Sequence, residues 1–167
     1  MGWSDSEELL CIQEDGLVLI YNIFGVYQHK FSMGQEAKDS KVIDARFFPT
    51  NQGTGIAIMT SHFRIFIANN YKDPKVRLLP EIPSNLINCA FIKWLQLVLL
   101  ESANPSSWNV IVEDRKATCW IACEQELYKV KQDDNICTAV AISFEFEYKA
   151  IRAMSVSFNN RHVAMCS

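Results

Sequence analysis

The chain has 167 residues, of which 49% are hydrophobic, enough apolar material for one medium-sized domain with a substantial core. Its 19 acidic and 16 basic residues give a net charge of -3 and are interspersed along the sequence. Because no basic stripe is present, the sequence excludes the usual electrostatic route to nucleic acid or anionic lipid, and neither is predicted as a partner.

The first residues predict the cellular compartment of the protein, and the positions of the cysteines predict the redox state of its thiols. Residues 1–8 are polar and acidic and contain no apolar segment of the kind that a secretory signal peptide requires, so we expect a cytosolic protein. Most cysteines lie in apolar runs and lack paired C-x-x-C spacing, which predicts buried, reduced thiols. The six are Cys11, Cys89, Cys119, Cys123, Cys137 and Cys166.

Residues 9–31 contain three strand patterns separated by two turn signals. Residues 9–12 and 17–21 are nearly continuous apolar runs, as expected of strands covered on both faces, whereas residues 26–31 include several polar side chains. The pattern predicts most of one blade of a β-propeller, with burial decreasing toward the outer strand. Two dipeptides supply the tight turns with positive φ, Asp15-Gly16 and Phe24-Gly25.

The same layout recurs along the chain. The predicted innermost strands end at Trp3, Phe48, Val112 and Phe158, which are separated by 45, 64 and 46 residues. Two of these separations match one four-stranded blade, and the middle separation is about twenty residues too long. The repeat therefore predicts consecutive blades with an insertion between the second and the third.

The strands of the later blades follow from the same alternation of apolar and polar residues. For blade two they are predicted at residues 42–48, 56–60, 63–68 and 75–79, with a turn-rich stretch at 49–55. Pro80 and Pro83 end this blade because proline cannot donate into a ladder. For blade three they are predicted at 108–113, 117–122, 126–131 and 136–143, and a fourth blade begins with 151–158 and 161–166.

The predicted fold is all-β, a partial β-propeller with two full four-stranded blades and partial blades at both ends. Residues 1–167 are assigned to one N-terminal propeller domain. A propeller closes only when its last blade meets its first, so we expect this chain to be a fragment. Its uncovered blade faces and strand edges predict self-association of the isolated chain.

The additional residues fall at 84–107, an atypical insertion between blades. It holds the most apolar run of the chain, residues 86–100. The run is shorter than the roughly 20 apolar residues of a membrane-spanning helix and is interrupted by Asn88, Lys93 and Gln96, so a span is disfavoured. A short helix between blades is the preferred interpretation, and a segment included by an error in the gene model is the other alternative.

The sequence predicts no catalytic, cofactor-binding or metal-binding residues. The histidines occupy dissimilar positions in the repeat and have no metal-ligand spacing around them, and the tryptophans in apolar runs are core candidates. Glu145 and Glu147 alternate with aromatic residues, a pattern that a glycosidase-like propeller hydrolase could use, although acids at i and i+2 usually form one solvated face of a strand. The hydrolase is kept as the alternative function. These histidines and tryptophans are His29, His62, His162, Trp94, Trp108 and Trp120.

Several short segments carry a resemblance to a known family. The segments are residues 2–4, 7–11, 13–16, 31–34, 44–46 and 80–83, followed by 155–158 and 161–164. Through them residues 2–83 closely, and residues 108–167 more loosely, resemble the N-terminal domain of the vacuolar protein sorting-associated protein sixteen family. The match is one of running sequence and blade register, without a catalytic signature, and residues 84–107 depart from it.

The resemblance implies a large cytosolic subunit with an N-terminal β-propeller and a C-terminal α-solenoid. Such subunits belong to the HOPS and CORVET tethering complexes, which act peripherally on late endosome, lysosome and vacuole membranes before SNARE-driven fusion. The implied partners are other tethering subunits, and the family's contact with an SM-family SNARE regulator lies in the solenoid, outside this chain. No functional residue can be carried over, and neither a cofactor nor a direct membrane span is expected.

Overall fold

The computed structural model describes residues 1–80, 106–113, 116–123, 126–131, 138–140, 151–157 and 162–166. Within these ranges the chain forms fourteen strands and one short helix. The strands are arranged in three four-stranded antiparallel sheets and one two-stranded sheet, each built from consecutive strands. The predicted all-β fold is therefore confirmed.

Sheet 1 follows the predicted blade closely. Two of its strands have the predicted bounds, because continuous apolar runs are bounded there by turn residues. Gly16 and Gly25 have φ of 72° and 75°, as a tight turn requires. The Asp15 carboxylate supports the first turn by accepting a hydrogen bond from Leu17 N at 3.0 Å. The strands are β1 (Gly2–Trp3), β2 (Leu9–Ile12), β3 (Leu17–Tyr21) and β4 (Tyr27–Ser32).

In sheet 2 the turn predicted at residues 49–55 is much shorter than expected. The stretch at 49–55 was predicted as a long turn, but β5 continues through Pro49 to Thr50, and β6 begins at Gly53. Pro49 is tolerated because β5 is an edge strand of its sheet. A short helix, α1 (Gln35–Asp39), precedes the sheet and was not predicted. The strands are β5 (Val42–Thr50), β6 (Gly53–Thr60), β7 (Ile65–Ala68) and β8 (Val76–Leu78).

Sheets 3 and 4 contain the remaining strands. Ser107, which the sequence analysis placed at the end of the predicted insertion, is the first residue of β9. Residues 84–105, including the apolar run at 86–100, lie outside the described residues. Sheet 3 comprises β9 (Ser107–Glu113), β10 (Lys116–Cys123), β11 (Glu126–Lys131) and β12 (Thr138–Val140). Sheet 4 comprises β13 (Ala153–Val156) and β14 (Val163–Cys166).

The sheets pack face to face, and the two-residue periodicity of the strands decides which side chain meets which sheet. In β6, Ile56 and Ile58 join the core between sheets 1 and 2, whereas Ala57 and Met59 join the core between sheets 2 and 3. All four are nearly or fully buried. This explains why the central strands of sheet 2 have continuous apolar sequences: both of their faces are covered.

The first strands of successive sheets lie side by side. β5 contacts β9, and β9 contacts β13. At β1, a Cβ atom on Gly2 would lie 2.5 Å from the Phe47 ring of β5, so this close approach requires glycine. Four consecutive antiparallel sheets, stacked face to face with their first strands adjacent, are part of a β-propeller whose inner strands are β1, β5, β9 and β13.

Candidate interaction surfaces

The described residues form no cluster of three or more histidine, cysteine or acidic side chains that could hold a metal ion. His29, His62 and His162 are exposed and lie on β4, after β6 and before β14, so the fold does not bring them together in one element. Glu145 and Glu147 lie outside the described residues, and the alternative hydrolase function stays a prediction. Within the described ranges no helix is long and apolar enough to span a membrane.

The thiols follow the prediction only in part. Cys119 is buried between sheets 2 and 3, Cys11 is half-buried and Cys166 is exposed, and none of these three thiols forms a disulfide within the described part of the chain. The exposure of Cys166 departs from the prediction, because in the two-stranded sheet 4 its side chain faces away from sheet 3. Trp108 is a core residue as predicted, with 4% exposure, and Trp120 is half-buried, while Trp94 lies outside the described residues.

A polar network joins sheet 1 to sheet 2 at one end of the sheets. The Tyr71 hydroxyl, in a residue only 1% exposed, donates to Glu8 Oε2 at 2.5 Å and lies 3.3 Å from the Ser4 hydroxyl. Asp5 N donates to Thr54 Oγ1 at 2.8 Å, and that hydroxyl donates back to Asp5 Oδ1 at 3.0 Å. These bonds hold the loop at residues 4–8 against the second sheet and fix how the two sheets are aligned.

A second polar contact joins the inner strands of sheets 2 and 3. The indole Nε1 of Trp108 on β9 donates to Asp44 Oδ2 on β5 at 2.9 Å. Arg46 forms an ion pair with Asp44 at 3.0 Å, and its guanidinium carbon lies 5.6 Å from the centroid of the Trp108 ring. The three side chains form one unit that joins β5 to β9.

The opposite face of sheet 3 carries a related but incomplete arrangement. Lys129 Nζ lies 2.6 Å from Glu113 Oε2 and 4.8 Å from the centroid of the Trp120 ring. In contrast to Trp108, the buried indole Nε1 of Trp120 has no hydrogen-bond acceptor among the described residues. The buried hydroxyl of Thr118 likewise has no hydrogen-bond partner within the described ranges. Both groups lie on the side that faces sheet 4.

A shallow hollow opens near the β5–β6 turn. Its volume is about 110 Å³, well below the size of a typical small-molecule site. The hollow accommodates a few waters or one side chain, and it contains no charged residue. It is lined by Thr50, Asn51, Gln52, Asn69, Val112 and Ala117.

Residues 22–26 form a hairpin tip between β3 and β4 that displays apolar side chains. Phe24 is 82% exposed, Val26 is 56% exposed and Ile23 is 54% exposed. The backbone of this hairpin tip is fixed by Asn22, whose Oδ1 accepts hydrogen bonds from Phe24 N at 3.0 Å and Val26 N at 2.9 Å. Exposed apolar side chains on a loop whose backbone is held by hydrogen bonds are typical of an interaction surface. The sequence indicated the turn at Phe24-Gly25, but not that its side chains are exposed.

A second apolar surface is the face of sheet 1 that points away from sheet 2, which we call the free face. Leu10, Val18 and Ile20 point toward sheet 2 and are fully buried. The residues that alternate with them along the same strands are only half-buried. Within the described part of the chain, no sheet covers the free face.

The fold and the surfaces define the class of protein: part of a β-propeller whose described residues offer apolar interaction surfaces. A family model described as "Vps16, N-terminal region" matches residues 1–167, and the chain belongs to this family. It is 34% identical over 165 residues to the vacuolar protein sorting-associated protein 16 homolog of Drosophila melanogaster, covering 99% of this chain and 18% of the fly protein.

The chain is also similar to two further proteins. Protein VACUOLELESS1 of Arabidopsis thaliana is 32% identical over 84 residues, which are 50% of this chain and 9% of that protein. Among solved structures, the WD40 domain of SCAP from fission yeast aligns with 94% of this chain and 34% of its own, at a TM-score of 0.49 and 11% identity. The chain thus spans less than a fifth of the length of the curated relatives that it matches.

Proposed function

We propose that this chain is the N-terminal propeller region of a non-catalytic scaffold subunit of the HOPS and CORVET membrane-tethering complexes, acting in transport from endosomes to lysosomes or vacuoles. The observation that carries the proposal is membership of the Vps16 N-terminal family along the whole chain, with 34% identity to a relative named for vacuolar protein sorting. The protein acts from the cytoplasm, peripherally on these membranes, and binds other tethering subunits.

The hairpin tip is the surface that we assign to a contact with another subunit. Phe24 and Ile23 form an apolar anchor that Asn22 holds in place, so little conformational entropy is lost on binding. Full burial of a side chain of this size contributes about 1.5–3 kcal/mol to the free energy of binding. A contribution of this size is expected of one anchor among the several contacts of a large assembly.

Charge favours a protein partner over a lipid surface. The loops at residues 4–8 and 22–26 lie at the same end of sheet 1, because successive hairpin turns alternate between its ends. The first loop carries Asp5, Glu7 and Glu8 against one contacting cation, Lys72, and the hairpin tip itself carries no charge, so the local net charge is negative. Exposed carboxylates beside an uncharged apolar loop repel an anionic membrane and match a partner with basic residues around an apolar cleft.

The test uses the complete subunit, tagged and purified from cells, with the double substitution Ile23→Ser and Phe24→Ser compared with wild type. Wild type should recover the other tethering subunits, and the double variant should lose at least one of them. The SM-family regulator should remain bound to both through the solenoid, and residues 1–167 alone should not retain it. The control is Ile43→Ser, an apolar residue of β5 with 54% exposure.

The outcomes separate the two parts of the proposal. Wild-type subunit that recovers no tethering subunit refutes the function. A double variant that recovers every subunit at wild-type yield refutes only the assignment of the hairpin tip. Salt-sensitive binding of residues 1–167 to anionic vesicles would favour direct membrane attachment over a protein contact.

A further inference from the structure

The ladder between β3 and β4 contains a β-bulge next to the hairpin tip. Ile20 is paired with His29, but the next residue of β3, Tyr21, is paired with Tyr27. Gln28 is therefore the extra residue, and Tyr27 alone separates it from the hairpin tip. A bulged strand bends and twists more strongly at its extra residue. The bulge consequently sets the direction in which the hairpin tip leaves sheet 1.

The bulge also changes which side chains share a face of the sheet. In a regular ladder Tyr21 would be paired with Gln28, and Tyr27 would lie on the opposite face. Because of the bulge, Tyr27 shares the free face with Tyr21, and the two rings pack edge to face at a centroid distance of 5.9 Å. This aromatic contact holds one side of the bulge in place.

Hydrogen bonds hold the side of the bulge that leads into the hairpin tip. Asn22 N donates to Val26 O at 3.0 Å, and Asn22 Oδ1 accepts a hydrogen bond from Val26 N at 2.9 Å. Gln28 Nε2 donates to the same Val26 carbonyl at 3.2 Å. The bulge is thus fixed between an aromatic pair and a closed turn, and the direction of the hairpin tip is fixed with it.

Protection of an edge strand against pairing with another chain is a common role of bulges. β4 is an edge strand, but its exposed polar residues, among them His29 and Lys30, already oppose such pairing. An interruption in the middle of β4 would protect the edge best, whereas Gln28 lies next to the first residue of the strand, beside the exposed hairpin tip. Bulges next to functional sites re-aim side chains, and the position of this bulge favours that role.

We propose that the β-bulge at Gln28 aims the hairpin tip at a preformed cleft of the partner subunit, and that Gln28 is a positioning residue of this interaction surface. The inference rests on the proposed function, which assigns the hairpin tip to a contact with another tethering subunit. A tip that is fixed on both sides loses little entropy on binding, but it cannot adapt its direction to the cleft. The number of residues on β4 carries this role, and the exposed side chain of Gln28 does not.

Deletion of Gln28 removes the bulge and keeps the neighbouring pairs, because Tyr27 and His29 then become consecutive opposite Tyr21 and Ile20. The experiment compares this deletion with Gln28→Ala, which keeps the extra residue, in the complete tagged subunit purified from cells. Wild type and Gln28→Ala should recover the tethering subunits equally. The deletion should recover at least one of them roughly tenfold less, as expected from the loss of one apolar anchor. Limited proteolysis should give the same fragments for all three proteins.

A deletion variant that recovers every subunit at wild-type yield overturns the inference, and self-association of that variant would assign the bulge to protection of the edge strand. Equal losses for the deletion and for Gln28→Ala also overturn it, because they assign the contact to the side chain of Gln28. An altered proteolysis pattern of the deletion variant makes the bulge a structural requirement of sheet 1 and overturns it as well. Wild-type subunit that recovers no tethering subunit refutes the proposed function and the inference together.

Discussion

The two tryptophans of sheet 3 allow a matched test of the contact that joins sheets 2 and 3. Trp108 donates to Asp44 at 2.9 Å, whereas Trp120 has no acceptor for its buried indole N–H among the described residues. Trp108→Phe and Trp120→Phe remove the same atoms. The difference between their effects on the free energy of unfolding is therefore dominated by the hydrogen bond and by the desolvation of the N–H group.

The expected difference in unfolding free energy between the two variants follows from the environments of the two indole N–H groups. A hydrogen bond to a charged acceptor contributes about 1.5–3 kcal/mol, and the Asp44 side chain is 39% exposed, so screening favours the lower value. A cation lies over each ring, Arg46 over Trp108 and Lys129 over Trp120, so both variants weaken a cation–π contact and this term largely cancels in the comparison. At position 120, the buried N–H is unpaired, so its removal abolishes a desolvation cost of about 1 kcal/mol and offsets part of the loss of stability. We expect Trp108→Phe to be more destabilising than Trp120→Phe by about 2.5 kcal/mol, roughly sixtyfold in the folding equilibrium.

The assay is urea unfolding of residues 1–167 at sub-micromolar concentration, followed by the fluorescence of the remaining tryptophans. The denaturation midpoint should fall clearly for Trp108→Phe and change little for Trp120→Phe. Equal losses for the two variants would show that the Trp108–Asp44 bond contributes nothing to the stability and would refute the reasoning.

Tyr71→Phe removes the hydroxyl that donates to Glu8 and should lower the free energy of unfolding by about 1.5 kcal/mol in the same assay. The control is Tyr27→Phe, at a half-exposed side chain, which should change the free energy of unfolding by less than about 0.5 kcal/mol. Residues 1–167 should self-associate in size-exclusion chromatography as concentration rises, and extension to the complete propeller should abolish this; a stable monomer at high concentration contradicts the fragment interpretation. Deletion of residues 84–105, with a short loop in their place, should preserve the circular dichroism spectrum, because loop length costs little closure entropy; loss of folding would show that the segment packs into the core.

The elements of sheet 1 were predictable because their signals are local. Residues 9–12 and 17–21 are bounded by turn residues, and Gly16 and Gly25 adopt the positive φ that the turn pattern demands. The turn at residues 49–55 was misjudged for the opposite reason. Its proline, asparagine and glycines favour turns locally, but pairing of Pro49 with Thr54 extends the ladder through them and leaves only Asn51 and Gln52 as the turn.

The sequence by itself determined the all-β class, the repeat of four-stranded units and most strand positions, because alternation and turn residues act over a few neighbours. Only the tertiary structure decided which faces are covered, since alternation defines two faces of a strand but not what packs on each. It also decided the contacts of Tyr71 with Glu8 and of Trp108 with Asp44, whose partners are 63 and 64 residues apart. Such bonds exist only after the sheets have packed, so no local pattern in the sequence reveals them.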